Sequence, residues 1–558
     1  MDDIQKSIVR VLHTAAERLR EERLPEELIN QLERLATQVD QPCVVAVVGL
    51  VKAGKSTFVN ALLGADLATV GTVETTATIN HFRHGQPAIY CIWRGGQREQ
   101  VNLDFVNSLQ GNDLETLRRA DGIDHLEYYL DEPYLQEVIL VDTPGIGSVI
   151  DEHQNRVADY INLERQLRQR HSDETYKIGS NADAIIYLIN THARGGDKLF
   201  LEEFQQVTQG QSSSFNTFNA VAIMGKIDLY PDTIHRRKEL AEKIASQLRE
   251  QINTVLPISA GIQLALEQLL EDDKAGLHRL TEAIHGIPPE HMKKFLSSDV
   301  FYMDPELDRA TYPIPFEERK SLLGSMPWTV FTTIAGVASR EKDIRTIEQE
   351  LIDFAGFRQL KEVLDRHIFR RSKILRCNRI LNEACRIISK NIKRQYLENL
   401  RQNESENKMR ESRYLTFIRQ AAQFNPSVAR ELEELVKERA SGRVKHIEEL
   451  VTSLEQEMEV IDMQLKRYNE DFEILTLLLD HDGNECFPPS EQDELRPLLG
   501  LYGLELEKRL PAGRISSEYV RAKQLHWRGV SMTDSNPIRR KVALQAVSCY
   551  GYILSRMN

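Results

Sequence analysis

One stretch narrows what this chain can fold into more than any other. Cys43-Val44-Val45-Ala46-Val47-Val48 is an unbroken apolar run of the kind that forms a buried strand. Gly49-Leu50-Val51-Lys52-Ala53-Gly54-Lys55-Ser56 follows and fits the pattern G-x-x-x-x-G-K-[ST]. Thr57-Phe58-Val59-Asn60-Ala61-Leu62-Leu63 then has helical spacing and stops at Gly64. Strand, glycine loop and helix together make a phosphate cradle, because backbone N–H groups and the positive end of the helix converge on one point. Gly49 and Gly54 permit the tight turn and the close approach of backbone to phosphate. Ala53 and Thr57 share the cradle. Lys55 is placed to reach β- and γ-phosphates, and the Ser56 hydroxyl to hold Mg²⁺.

Four further elements follow in order. Gly71-Thr72-Val73-Glu74-Thr75-Thr76-Ala77-Thr78 is a threonine-rich loop entering a strand. In phosphate-binding GTPases such a loop closes a threonine onto Mg²⁺ and the γ-phosphate; Thr76 is the first candidate and Thr75 the second. Val138-Ile139-Leu140-Val141 ends in Asp142-Thr143-Pro144-Gly145, a D-x-x-G element. Its carboxylate can hold Mg²⁺ through water, and the Gly145 N–H can sense the γ-phosphate. Ile146 stands where Ras-type enzymes place a water-orienting glutamine, so either hydrolysis is slow or another group is brought in. After a third apolar strand, Ala184–Ile189, comes Ala220–Met224 running into Gly225-Lys226-Ile227-Asp228. Asp228 can accept from guanine N1–H and N2–H₂ while the Lys226 stem covers the base. A site of that kind rejects adenine, whose edge leaves the buried polar groups unpaired. Gly225 replaces the usual Asn or Thr. Leu256-Pro257-Ile258-Ser259-Ala260 matches the strand that closes over the base with Ser259 and Ala260.

These five motifs resemble a GTPase, and two spacings narrow the family. Gly49 and Asp142 lie about ninety residues apart, roughly twice the Ras-like interval, with added strand and helix material that includes Ile89–Trp93. Long helical segments then follow the nucleotide domain. The chain thereby resembles the dynamin superfamily of large GTPases, in particular its bacterial dynamin-like members, over residues 41–365. The resemblance implies GTP as substrate, Mg²⁺ as cofactor, and hydrolysis activated when two nucleotide domains dimerise face to face. Family members also lack the Ras glutamine. Lys52 occupies the loop position where guanylate-binding relatives carry an arginine finger; it is either a catalytic charge or a solvated loop lysine.

The expected architecture is an α/β P-loop GTPase domain, mostly parallel sheet with flanking helices, joined to an all-α bundle or stalk. The expected limits are a helical hairpin over 1–40 packing on the bundle, the nucleotide domain over 41–365, the stalk over 366–485 and a small helical module over 486–558. Val444, Ile447, Val451, Leu454, Met458, Ile461, Leu465, Tyr468, Phe472, Leu475 and Leu479 form a seam with steps of three and four, as in a coiled coil. The Arg366–Arg401 region supplies an antiparallel partner of similar length, with a hinge near Asn425-Pro426. That partner is strongly basic, which suits either an anionic surface or pairing with the acidic seam helix.

Composition limits the rest. The net charge of −13 argues against a general polyanion binder, and the six cysteines form no CxxC pair. Met1-Asp2-Asp3 begins a polar start without a signal-peptide core, and no apolar run reaches the ~20 residues of a membrane span. The chain is expected to be cytoplasmic, self-associating, and at most peripheral on an anionic membrane. A protein partner at the C-terminal module is a further expectation, and nucleic acid the least. The alternative to a mechanochemical enzyme is a GTP-switch scaffold or defence-type sensor that engages a partner without remodelling membranes.

Overall fold

In the computed structural model the described residues are 2–49, 53–64, 78–109, 119–143, 182–190, 197–198, 200–202, 219–229, 234–248, 251–252, 254–305, 314–402, 416–418, 422, 425–430, 443–479, 486–502, 506–510 and 516–557. They fall into two compact units. One lies between residues 42 and 375; the other combines 1–41 with 376–558. The division comes after Leu375, later in the chain than the position 365 expected from sequence.

The first unit is built on a nine-stranded sheet of order β4-β3-β5-β2-β6-β1-β7-β8-β9. The strands are β1 Cys43–Gly49, β2 Ile79–His84, β3 Ala88–Trp93, β4 Arg98–Val101, β5 Ile123–Leu130, β6 Val138–Asp142, β7 Ala184–Ile189, β8 Ala220–Met224 and β9 Thr254–Pro257. From β6 to β9 every pairing is parallel. β6, β7 and β8 are buried along their whole length, and their Val, Ile, Leu and Ala runs are the ones that both faces of a covered sheet require. Their C-terminal ends line up on one edge, where open α/β sheets bind ligands. The added material between P-loop helix and β6 extends the sheet on the far side: β2 runs antiparallel to β6 and parallel to β5, and β3 is antiparallel to both its neighbours.

The second unit is helical. Helices α1 (Asp2–Glu21) and α2 (Glu26–Gln38) share a core with residues 377–397 and with the long helix Arg443–Leu479. Ile447, Val451, Leu454, Met458, Ile461 and Leu465 of the seam are all buried in this core against the chain's own helices. The seam's basic partner is antiparallel: Lys393 pairs with Glu455 at 2.7 Å, the Cys385 thiol meets the Met458 sulfur at 3.7 Å, and Arg401 pairs with Glu448. The same stretch carries a π-helical segment, Ile387–Tyr396, which keeps Ile387, Ile388 and Ile392 turned into the core. Around the expected hinge at Asn425-Pro426 the described residues are 416–418, 422 and 425–430. Truncating Leu454 to alanine in this fully buried row is expected to destabilise the unit by about 2–5 kcal/mol, measured by urea unfolding.

Residues between Phe487 and Ile553 supply most of a third core, and the end of the long helix joins it. Trp527, Val542, Ala546 and Tyr550 pack on Ile474, Leu475 and Leu478 at the end of the long helix. Glu494 organises the polar part of this cluster, accepting from Trp527 Nε1 and the Tyr550 hydroxyl at 2.8 Å each and from Lys523.

Candidate nucleotide site

Gly54 sits at φ 88°, a left-handed conformation natural only to glycine, and helix α3 (Lys55–Leu63) starts directly after it. At Gly49 a Cβ would lie 2.6 Å from the Leu188 carbonyl oxygen, so the closeness of β1 and β7 demands glycine there as well. The Lys55 side chain is buried and its Nζ donates to the Gly49 carbonyl at 3.2 Å. Burial pushes Lys55 down to about 8, while the nearby Asp142 pulls it back up.

Asp142 ends β6 and is completely buried. The Ser56 hydroxyl donates to its Oδ2 at 3.2 Å. Its Oδ1 is buried without a hydrogen bond. Desolvation pushes the carboxyl up to about 6 against the opposing effects of Lys55, Ser56 and Asn80. A hydroxyl beside an under-satisfied carboxylate is the hard oxygen set that suits Mg²⁺ with part of its water shell kept. Ser56 and Asp142 would hold it, and it would neutralise phosphate charge there. Thr143, absent from the sequence reasoning, braces this corner: its hydroxyl donates to the Val47 carbonyl at 2.8 Å and ties the end of β6 to β1.

The base-reading end is equally tight. The Ser259 hydroxyl donates to Asp228 Oδ1 at 2.7 Å and accepts from the Ile262 N–H at 3.1 Å, thereby also capping helix α4 (Ala260–His285). One Asp228 oxygen is thus fixed, which orients the other. The Ser259 N–H donates to the Ala355 carbonyl at 3.1 Å, and at Gly356 (φ 75°) a Cβ would lie 2.6 Å from the Pro257 carbonyl oxygen. Lys226 adopts φ 57°, a left-handed conformation that costs energy for a residue with a side chain and often marks a functional position. Its Cε lies 3.7 Å from where a Gly54 Cβ would be, so the lysine stem runs over the P-loop. A Cβ on Gly225 would lie 3.5 Å from the Ala53 carbonyl oxygen. An Asn or Thr there would face the P-loop, and glycine omits that brace.

Phosphate cradle, buried carboxylate and base reader therefore occupy one edge of one sheet. Residues 45–212 match the sequence model of the dynamin family. Over that stretch the chain is similar to the dynamin family.

This GTP-hydrolysing enzyme is 25% identical over 370 residues to the isoniazid-induced protein IniC of Mycobacterium tuberculosis, covering 64% of this chain and 69% of that one. It is 24% identical over 202 residues to dynamin-like protein 2 of Campylobacter jejuni, covering 34% and 31%. A solved structure described as an oligomerised bacterial dynamin pair for long-range sensing and tethering of membranes aligns over 98% of this chain and 90% of its own, with 12% identity and a TM-score of 0.30.

Of the residues expected in the GTPase site, Gly49, Ala53, Gly54, Lys55, Ser56, Thr57, Asp142, Lys226, Asp228, Ser259 and Ala260 lie at the C-terminal ends of β1, β6, β8 and β9 or in the turns and helices that follow them. Lys52, Thr75, Thr76 and Gly145 lie outside the described residues. Sequence reasoning also passed over Asn80, fully buried and paired in register with Asp142. The signal was present in the alternation Thr78-Ile79-Asn80-His81-Phe82, which puts an asparagine on the same face as a core phenylalanine.

The Asp142 carboxyl sets a pH expectation. The protonated form cannot hold a cation, so GTP turnover at limiting Mg²⁺ should fall as pH drops through about 6. Raising Mg²⁺ should move that limb to lower pH. Because the folded-state value lies above the unfolded one, the nucleotide-free protein binds the extra proton. It should lose this part of its stability as pH rises from about 4 to 6. Paired turnover and thermal-melt profiles at two Mg²⁺ concentrations measure both.

Proposed function

We propose that this protein is a dynamin-like large GTPase that hydrolyses GTP with Mg²⁺, is activated by nucleotide-dependent self-association of its GTPase domains, and couples that cycle to movement of its helical stalk. The observation that carries the reading is the shared sheet edge, where Lys55, Ser56 and Asp142 stand with the Asp228–Ser259 pair. Ser56 and Lys55 serve the phosphates, and Asp228 with Lys226 selects guanine. Neither group supplies a base for the attacking water. A catalytic element must come from elsewhere: Lys52 in the loop, the backbone around Thr76 and Gly145, or a facing copy. Self-association explains why the chain works without the Ras glutamine.

Any membrane role is proposed here as peripheral. No single helix among the described residues is long and apolar enough to cross a membrane. The bent pair Phe316–Leu323 and Trp328–Ala338 has the composition, but Val330, Phe331, Ile334 and Ala335 are fully buried in the nucleotide unit. The basic stalk helix is engaged within the chain: Arg386 with Glu383, Lys393 with Glu455, and Arg379 with the Gln38 side chain. That favours structural pairing over a lipid-facing surface along this helix.

The deciding experiment is GTP turnover per molecule over a wide range of protein concentration, with ATP as control. A rate per molecule that rises with concentration is expected. A flat, slow, GTP-specific rate would favour the switch-scaffold reading, and a preference for ATP would overturn the assignment of Asp228. Liposome sedimentation at varied anionic lipid and salt tests the membrane role separately.

A further inference from the structure

Behind the Ser56–Asp142 pair lies a second set of groups that the GTPase motifs do not include. Three buried polar atoms there lack hydrogen bonds: Asp142 Oδ1, Asn80 Nδ2 and the Tyr128 hydroxyl. They sit on adjoining strands and on one face. Asn80 is the cross-strand partner of Asp142, and it is flanked by Leu126 in the β2–β5 register, with Phe82 opposite Tyr128 one step on. The Phe82 and Tyr128 rings stack at 5.0 Å, which holds the Tyr128 side chain in place. The Thr78 hydroxyl donates to Asn80 Oδ1 at 3.3 Å, so the amide carbonyl is engaged and the NH₂ is left to face the carboxylate. The Asn80 amide lowers the Asp142 carboxyl as a hydrogen-bond donor does, and the Tyr128 hydroxyl is raised by burial and then by the Asp142 charge.

An unmade hydrogen bond in a buried site costs on the order of 1–3 kcal/mol, so three together need a reason. Two of these atoms belong to groups that can donate and the third can only accept. In the nucleotide-free arrangement Asp142 is attended by Lys55 and Ser56. Loading draws both away, Lys55 toward phosphate and the Ser56 oxygen toward the cation. The carboxylate would then lose its donors at the moment its orientation matters. Asn80 and Tyr128 are the donors that remain.

We infer that Asn80, backed by Tyr128, is the positioning residue for Asp142, holding that carboxylate in its cation-binding orientation once Lys55 and Ser56 are committed to GTP and Mg²⁺. Asn80 is the direct cross-strand partner of the carboxylate, and Tyr128 stands on the next strand. Partners of this kind govern cation affinity more than nucleotide affinity. The inference rests on the GTPase reading of the site.

The test is equilibrium binding of a fluorescent GDP analogue to the full chain, first in EDTA and then with Mg²⁺ titrated in. Asn80→Leu should bind the analogue in EDTA within about twofold of wild type, while the Mg²⁺ concentration for half-maximal tightening rises roughly tenfold or more. Tyr128→Phe, which deletes a single hydroxyl and keeps the stacked ring, should shift the same Mg²⁺ midpoint in the same direction by less. A purely structural role for Asn80 would lower the melting temperature and leave the midpoint in place. Should Asn80→Leu fail to fold, Tyr128→Phe decides alone. Wild-type Mg²⁺ midpoints in the folded variants would overturn the inference while leaving the GTPase reading intact. A wild-type protein that binds no guanine nucleotide would remove that reading, and the inference with it.

Discussion

Replacing Lys55 by alanine should lower GTP turnover by roughly 10²–10³-fold, the usual loss when a preorganised charge aimed at developing negative charge is removed. The lysine is buried, and its Nζ already points at the loop through the Gly49 carbonyl. It therefore needs little reorganisation to meet a phosphate. The same substitution removes the positive charge that keeps the buried Asp142 carboxyl from rising further, so the variant should also bind Mg²⁺ more weakly at pH 7. Lys55→Arg should not rescue, because a rigid planar fork does not fit a site shaped for a compact ammonium. Single-turnover measurements at saturating GTP check this. A variant rate within about tenfold of wild type would remove Lys55 from the phosphate site.

The second large effect belongs to Asp228. Asp228→Ala should weaken GTP binding by roughly a hundredfold or more and erase the preference for GTP over ATP. Sites built to hydrogen-bond a substrate group discriminate through the polar atoms left unpaired by the wrong one. Asp228 is prepared for this by the Ser259 hydroxyl at 2.7 Å on one carboxylate oxygen. The fold should tolerate the change, since Ser259 keeps its capping bond from the Ile262 N–H. Calorimetric titration with GTP, ATP and GDP measures both affinity and selectivity. Equal losses for GTP and ATP would mean that Asp228 does not read the base.

Much of this site was legible in the sequence because its chemistry is local. Gly49–Ser56, Asp142–Gly145 and Lys226–Asp228 each place their key groups within a few residues at the end of an apolar strand, and strand, turn and helix preferences alone establish that context. The stalk seam was legible for a similar reason: steps of three and four put Ile447 to Leu465 on one face of any helix they form, and that face is buried. The partition of the C-terminal half was harder to read. Pro488-Pro489 suggested a separate module, and most of the third core lies beyond them; that Ile474, Leu475 and Leu478 of the long helix join Trp527 and Tyr550 there depends on long-range packing that local preference does not encode.

By itself the sequence determined the order and type of the strands around the P-loop, the phosphate and guanine motifs, and the amphipathic faces of the helices. Each depends on interactions between near neighbours. Tertiary structure decided which of these were brought together. Lys226 reaches over Gly54, Asn80 stands opposite Asp142, Gly356 locks the turn that aims Ser259 at Asp228, and α1 and α2 join a core with residues 377–397. Those pairings join residues tens to hundreds of positions apart, and sheet register and close packing, not local preference, set them.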